Sequence, residues 1–181
     1  MSFTVVIPFR DGHTTIERLL NSLPPEQPVL IVDDQSATPY QSARPNVTVL
    51  RLSERGYFAG AVNAGLAATT GDVLVLNQDV WLTGDGWRAF TTGPRGLALA
   101  GDGVLDHPAW PNGYVQGTFM YLARSAWEKV GPFNTRDFPL WGCTAEWQLR
   151  ACRAGFTARP GRVPGLRHER RERYGAAIAR A

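Results

Sequence analysis

The chain has 181 residues, of which 44% are hydrophobic and 19% are charged, and its formal net charge is +3. This length and composition predict one globular domain with a sizeable core. Cys143 and Cys152 are too few for a disulfide framework and fit no zinc-ligand spacing, so we expect reduced thiols in a cytoplasmic protein. No segment approaches the ~20 apolar residues of a membrane span, and residues 1–8 are typical of a first strand rather than of a signal peptide.

The positive charge is concentrated near the C-terminus. Six arginines lie in the last twenty residues, and only two glutamates offset them. We expect a basic, solvated helix over residues 169–181. The alternative is a patch for diphosphates or for an anionic membrane surface, which would allow peripheral membrane contact. Nucleic acid is disfavoured, because no basic stripe interleaved with aromatic residues accompanies the arginines.

The first half of the chain alternates between strand and helix patterns. Predicted strands cover residues 3–8, 29–32, 47–52 and 73–76. A helix with capping-box spacing at Thr14 and Glu17 and a second helix over residues 58–68 lie between them. This βαβ alternation predicts an α/β fold with a mostly parallel central sheet flanked by helices.

The second half has a looser pattern. We expect a short helix within residues 81–90, a strand over 114–122, helices over 124–130 and 144–154, and a strand over 156–163. Four of the six tryptophans follow residue 100, and this excess favours an aromatic-lined pocket.

Asp79 is the strongest candidate for a functional residue. It follows the apolar run Val73–Leu76, which is typical of a strand covered on both faces, and Asn77 lies two positions before it. Ligands of open α/β sheets bind at the carboxyl ends of the strands, and carboxylates there can bind Mg²⁺ or Mn²⁺. The alternative is an aspartate that only caps a turn.

Asp33 and Asp34 end another buried strand. Adjacent side chains of a strand point to opposite sides, so both cannot face one ligand. We expect one of them to bind a base or ribose hydroxyl and the other to cap the turn at Ser36. Asn63 lies in a glycine-rich helix pattern, where a buried amide needs hydrogen-bonding partners. His168 is a lone histidine, and such a residue is more often a surface or core residue than a metal ligand.

Six segments follow one another along the chain, within a match that spans about residues 3–168. They are Val5–Asp11, Val32–Ser36, Phe58–Gly65, Gly71–Asp79, Gly117–Arg124 with Val130–Phe133, and Arg150–Gly155. In this order they resemble the motifs of family 2 glycosyltransferases with the GT-A fold. The resemblance implies a Rossmann-like, nucleotide-sugar-binding half over residues 1–80 and an acceptor and catalytic half over residues 81–168.

The resemblance also implies a role for each candidate residue. The donor nucleotide sugar would contact Pro8, Arg10, Asp33, Asp34, Asn63, Asn77 and Asp79. Asp79 and His168 would hold Mn²⁺ or Mg²⁺, and Gly117 and Trp141 would contact the acceptor. The implied reaction is the inverting transfer of a sugar from a nucleotide diphosphate to a hydroxyl group of a glycan, a lipid-linked sugar or a small molecule, in the manner of polysaccharide biosynthesis.

The sequence departs from the family pattern in two places. Cys143-Thr144 occupies the position of the family's Glu-Asp pair, which leaves Glu146 as the candidate catalytic base. Arg55-Gly56-Tyr57 stands where the family commonly has Asn-x-Gly. Two alternatives therefore stay open: a degenerate domain that binds a nucleotide sugar or a protein partner without efficient transfer, and a nucleotidyltransferase on a related fold.

Overall fold

The computed structural model describes residues 3–169. The predicted basic helix over 169–181 therefore lies, apart from its first residue, outside the described residues. The strands are β1 Thr4–Phe9, β2 Val29–Asp33, β3 Val47–Arg51, β4 Val73–Leu76, β5 Val80–Leu82, β6 Leu97–Val104, β7 Tyr114–Leu122, β8 Thr157–Gly161 and β9 Leu166–His168. The α-helices are α1 His13–Ser22, α2 Tyr57–Ala67, α3 Arg124–Val130 and α4 Cys143–Arg153, and a 3₁₀ turn covers Gly86–Phe90.

Seven strands form the central sheet, in the order β3-β2-β1-β4-β7-β6-β8. Strands β1 to β4 run parallel, β7 is antiparallel to both β4 and β6, and β8 is parallel to β6. The predicted α/β class with a mostly parallel sheet is confirmed. Because β7 runs against β4, its first residues meet the carboxyl end of β4, with Leu76 opposite Phe119.

The core lies on both faces of this sheet. Along β4, Leu74 and Leu76 pack into the layer of α1, whereas Val73 and Val75 pack into the layer of α2 and α4. All four side chains are buried, which explains the unbroken apolar run of this strand. Both layers contain residues from before and after residue 80.

The short helix expected within residues 81–90 is the 3₁₀ turn Gly86–Phe90, and the strand at residues 80–82 was not predicted. Val80 and Leu82 are buried on either side of the less buried Trp81, so the local period is that of a strand. The capping box is absent, because α1 begins at His13 and Glu17 instead accepts a hydrogen bond from the Tyr40 hydroxyl.

Strand β5 pairs with β9 in a small antiparallel sheet, in which Val80 is opposite His168. This pairing brings the last described strand to the residue that follows Asp79. Within residues 3–169, no helix is both long enough and apolar enough to cross a lipid bilayer.

Candidate functional site

A cavity of about 420 Å³ opens at the carboxyl ends of β1, β2 and β4, within the usual size range of ligand pockets. The beginnings of β7, α2 and α4 form the rest of its wall. This is the edge where open α/β sheets bind ligands. The cavity wall contains most of the predicted site residues, namely Pro8, Arg10, Asp34, Asn77, Asp79, Gly117 and Trp141.

Asp79 and His168 lie together at the end of β4. The Nε2 atom of His168 is 3.2 Å from Oδ2 of Asp79, and the backbone N–H of Glu169 donates to the carbonyl oxygen of Asp79. The imidazole is largely buried, and its Nδ1 atom has no hydrogen-bond partner among the described residues. The structure therefore brings together the two predicted metal ligands, a carboxylate and an imidazole.

The two adjacent aspartates of β2 have different surroundings. Asp33 is fully buried, and its carboxylate accepts hydrogen bonds from the backbone N–H groups of Ser36 and Tyr40 and from Arg51. Burial raises the pKa of Asp33, but these hydrogen bonds outweigh it, and the pKa of Asp33 is lowered from its ordinary value.

Asp34 points the other way. It lines the cavity, and its Oδ1 atom accepts a hydrogen bond of 2.6 Å from the backbone N–H of Gly56. The carboxylate of Asp33 therefore caps the turn after β2, and the carboxylate of Asp34 lines the cavity. The predicted contact between Asp33 and the nucleotide sugar has no support from this arrangement, because the Asp33 side chain has no exposed surface.

Gln78, the middle residue of the Asn-Gln-Asp motif, connects this motif to the loop after β1. Its side-chain Oε1 accepts the backbone N–H of Arg10 at 2.7 Å, and its Nε2 donates to the carbonyl oxygen of Arg10 at 3.0 Å. A Cβ atom at Gly12 would lie 2.5 Å from the Gln78 amide, so a larger residue there would displace this amide from Arg10. The Arg10 guanidinium in turn donates to the carbonyl oxygen of Asp34. These contacts fix the loop over the cavity.

Asn63 lies outside the cavity wall. Its amide donates to the carbonyl oxygen of Phe133 at 2.9 Å and accepts the N–H of Phe133 at 2.8 Å. Both ends of the amide are thus used in holding the turn after α3 against α2. The half-buried amide has found its partners in the protein backbone, so this arrangement does not support the predicted contact of Asn63 with the nucleotide sugar, which stays a prediction.

Glu146 also lies outside the cavity wall. Its carboxylate forms a bidentate ion pair with Arg150, with N–O distances of 2.7 and 3.1 Å. Arg150 donates at the same time to the carbonyl oxygens of Val130 and Pro132. The structure therefore does not bring Glu146, the predicted base, to the cavity. Glu146 instead pairs with Arg150, which lies one turn later in α4.

The N-terminal end of α4 faces the cavity with Cys143, Thr144 and Ala145. Burial raises the pKa of the Cys143 thiol to about 11, so this thiol stays protonated near neutral pH. Among residues 3–169, the carboxylates of the cavity wall are those of Asp34 and Asp79.

The cavity wall also contains the two predicted acceptor residues. Trp141 is 71% exposed although it is a large apolar side chain. At Gly117 a Cβ atom would lie 2.3 Å from the ring of Phe58, so the close packing of this ring requires glycine. Trp147, in α4, is fully buried and stacks on Phe133.

Sequence reasoning missed several residues of the wall, including Arg55, Tyr57, Phe58 and Gln78. Arg55 and Tyr57 lie in a segment that departs from the Asn-x-Gly pattern, and this departure could have pointed to them. Gln78 gave no signal, because its partner Arg10 is 68 positions away.

The model of the family described as "Glycosyl transferase family 2" matches residues 4–89. Over these residues the chain is similar to glycosyl transferase family 2. The matched segment contains β1 to β5 and the cavity residues Arg10, Asp34 and Asp79. No curated protein matches the chain.

Solved structures extend the similarity to residues after the matched segment. The mannosyltransferase PcManGT from Pyrobaculum calidifontis, in complex with GDP-Man and Mn²⁺, superposes with a TM-score of 0.68 at 16% identity and covers 88% of the chain. GalNAc-T7 with UDP, GalNAc and Mn²⁺ gives a TM-score of 0.68 at 14% identity over 91% of the chain. TarS from S. aureus gives 0.58 at 18% identity over 83% of the chain.

This likeness establishes the GT-A glycosyltransferase fold. The chain spans only part of these proteins, namely 54% of the mannosyltransferase, 44% of GalNAc-T7 and 33% of TarS.

Proposed function

We propose that this protein is a glycosyltransferase that uses a nucleotide-diphosphate sugar as donor, a divalent cation as cofactor and a hydroxyl group as acceptor. The observation that carries this proposal is the pair formed by Asp79 and His168 at the edge of the cavity. The proposal is supported by the match of residues 4–89 to the family 2 model and by the GT-A fold.

The carboxylate of Asp79 and the imidazole of His168 fit Mn²⁺ or Mg²⁺ bound together with a diphosphate. Within residues 3–169 no group of three or more histidine, cysteine or acidic residues could hold a metal, so protein side chains alone leave coordination positions for the substrate. Such sharing is usual for Mg²⁺, and an imidazole ligand suits Mn²⁺ as well. When bound, the cation would neutralise charge on the leaving diphosphate. PcManGT and GalNAc-T7 were each solved with Mn²⁺.

The nucleoside would extend from Asp79 toward the end of β2. Asp34 lies there, and its carboxylate accepts the backbone N–H of Gly56. Arg10 offers a guanidinium next to it, held by the carbonyl oxygen of Asp34 at 3.1 Å. The transferred sugar and its acceptor would lie on the other side of Asp79, beside Gly117 and the exposed indole of Trp141.

Inverting transfer needs a group that takes the proton of the acceptor hydroxyl. The prediction that Glu146 is this group is weakened by its ion pair with Arg150. Neither Cys143 nor Thr144 ionises near neutral pH, and Asp34 and Asp79 are engaged with the donor in this proposal. This arrangement favours one second candidate, a domain of the same fold that binds a nucleotide sugar without efficient transfer.

Calorimetric titration with GDP, UDP and dTDP, each with and without Mn²⁺, tests the donor site. We expect one nucleotide to bind only when Mn²⁺ is present, and the matching sugar nucleotides then serve as donors in a transfer assay. Binding with transfer would support the glycosyltransferase, and binding without transfer would support the second candidate. Equal affinity with and without Mn²⁺ would contradict the role of Asp79 and His168.

A further inference from the structure

The backbone of Tyr57 is in an unusual conformation. Its φ angle is +56°, in the left-handed region that residues with bulky side chains rarely adopt. Glycine would occupy this position without strain, and glycine is what the Asn-x-Gly pattern places here. A strained residue that persists beside a binding cavity points to a function for its side chain.

The side chain of Tyr57 lies in the cavity wall. It is 39% exposed, although half of the residues after it in α2 are buried. The guanidinium carbon of Arg55 lies 4.3 Å from the centre of the Tyr57 ring, so this arginine stacks on it. The pair therefore offers a flat aromatic surface supported by a cation.

Asp34 lies beside this surface. The N–H of Gly56, the residue between Arg55 and Tyr57, donates to Oδ1 of Asp34. Asp34 is only 5% exposed and contributes to the same wall. An aromatic plane with a carboxylate next to it suits a nucleobase, which has a π face for stacking and ring N–H groups that a carboxylate accepts.

We propose that Tyr57, supported by Arg55, is the stacking surface for the nucleobase of the donor and contributes to the choice of nucleotide. This inference rests on the proposed function, because it gives Tyr57 a role within the same proposed donor site. It predicts that the aromatic ring contributes to affinity while its backbone conformation lowers stability.

The replacement Tyr57→Gly separates these two effects. It removes the ring and relieves the positive φ angle, so thermal stability should stay equal or rise. The affinity for the preferred nucleoside diphosphate in the presence of Mn²⁺ should fall about tenfold or more, which is the usual size of a lost base-stacking contact. Tyr57→Phe keeps the ring and should retain the affinity.

Inorganic pyrophosphate with Mn²⁺ serves as a probe without a base. Its affinity should be the same for the parent and for Tyr57→Gly. Tyr57→Asn is a second variant without the ring, because asparagine tolerates the left-handed conformation, and it should reproduce the loss for nucleotides.

The outcomes distinguish this inference from the proposed function. If the parent binds none of GDP, UDP and dTDP with Mn²⁺, the donor site and the stacking surface are both overturned. If the parent binds one of them and Tyr57→Gly and Tyr57→Asn bind it equally well, only the stacking surface is overturned. An equal loss of pyrophosphate affinity would also overturn it, because the effect would then not concern the base.

Discussion

His168 lies with its Nε2 atom 3.2 Å from Oδ2 of Asp79, although 89 positions of sequence separate the two residues. The antiparallel pairing of β5 and β9 creates this contact, since it sets Val80 opposite His168. The contact joins the end of the segment that the family 2 model matches to the last described strand. It thereby brings together the two residues of the proposed metal site, which neither part of the chain contains by itself.

Replacement of His168 by alanine should weaken Mn²⁺ binding in the presence of nucleotide. We expect a loss of about tenfold or more, since even partners outside the first coordination sphere contribute that much. Titration of Mn²⁺ into the nucleotide-bound protein measures it. His107→Ala is a matched control, because His107 is exposed and outside the cavity wall. An unchanged Mn²⁺ affinity of His168→Ala would mean that the cation binds elsewhere.

Asn63→Ala should lower stability without lowering nucleotide affinity. The change leaves the N–H and the carbonyl group of Phe133 without the partners that the amide provides. Leaving buried polar groups unpaired costs about 1–3 kcal/mol, which urea unfolding can measure. If instead the folded variant lost its nucleotide affinity at unchanged stability, the direct contact predicted from the sequence would be correct.

Glu146→Gln should lower stability by about 0.5–1 kcal/mol, because it weakens a partly exposed ion pair. Nucleotide affinity should not change, since the Glu146 side chain faces Arg150 rather than the cavity. We expect any transfer activity to survive for the same reason. A complete loss of transfer at unchanged nucleotide affinity would restore Glu146 as the catalytic base.

Thr144→Asp is the complementary variant. Thr144 lines the cavity at the first turn of α4, where a negative charge is favourable, and it stands at an acidic position of the family pattern. A carboxylate here should raise the transfer rate if the missing base limits it. The ratio of the transfer rates of Thr144→Asp and the parent, at equal nucleotide occupancy, is the measurement. An unchanged rate would place the limitation elsewhere.

Asp33 should make stability depend on acid pH. Its lowered pKa means that the folded protein holds this carboxylate ionised to lower pH than the unfolded chain does. The stabilisation is therefore complete above the ordinary pKa of 3.8 and disappears as pH falls through the lower, folded value. Asp33→Asn should be less stable at neutral pH, because Arg51 loses its ionic partner. Its stability should also change less below pH 4.

Thermal unfolding from pH 6 to pH 2.5 checks this expectation. Asp106→Asn is the control, because Asp106 is exposed and outside the cavity wall. Parallel pH profiles for the parent and Asp33→Asn would show that Asp33 does not carry the acid sensitivity.

Much of the fold could be predicted because most of its helices and strands have a recognisable local sequence pattern. The bounds of β7 and α3 agree with the predicted ones to the residue, since apolar periodicity and flanking glycine and proline mark them. The short strands β5 and β9 could not be predicted in this way. Three residues are too few to show a period, and only their pairing with each other makes them strands.

For the site, the sequence determined which residue types stand at the carboxyl ends of the buried strands, and it pointed to Asp79 and to one of two aspartates. Only the tertiary structure decided that Asp34 faces the cavity, that Asn63 binds Phe133 and that Glu146 turns to Arg150. The physical reason is that a polar side chain takes the partner that its surroundings provide. For Asn63 that partner is 70 positions away, beyond the reach of any local pattern.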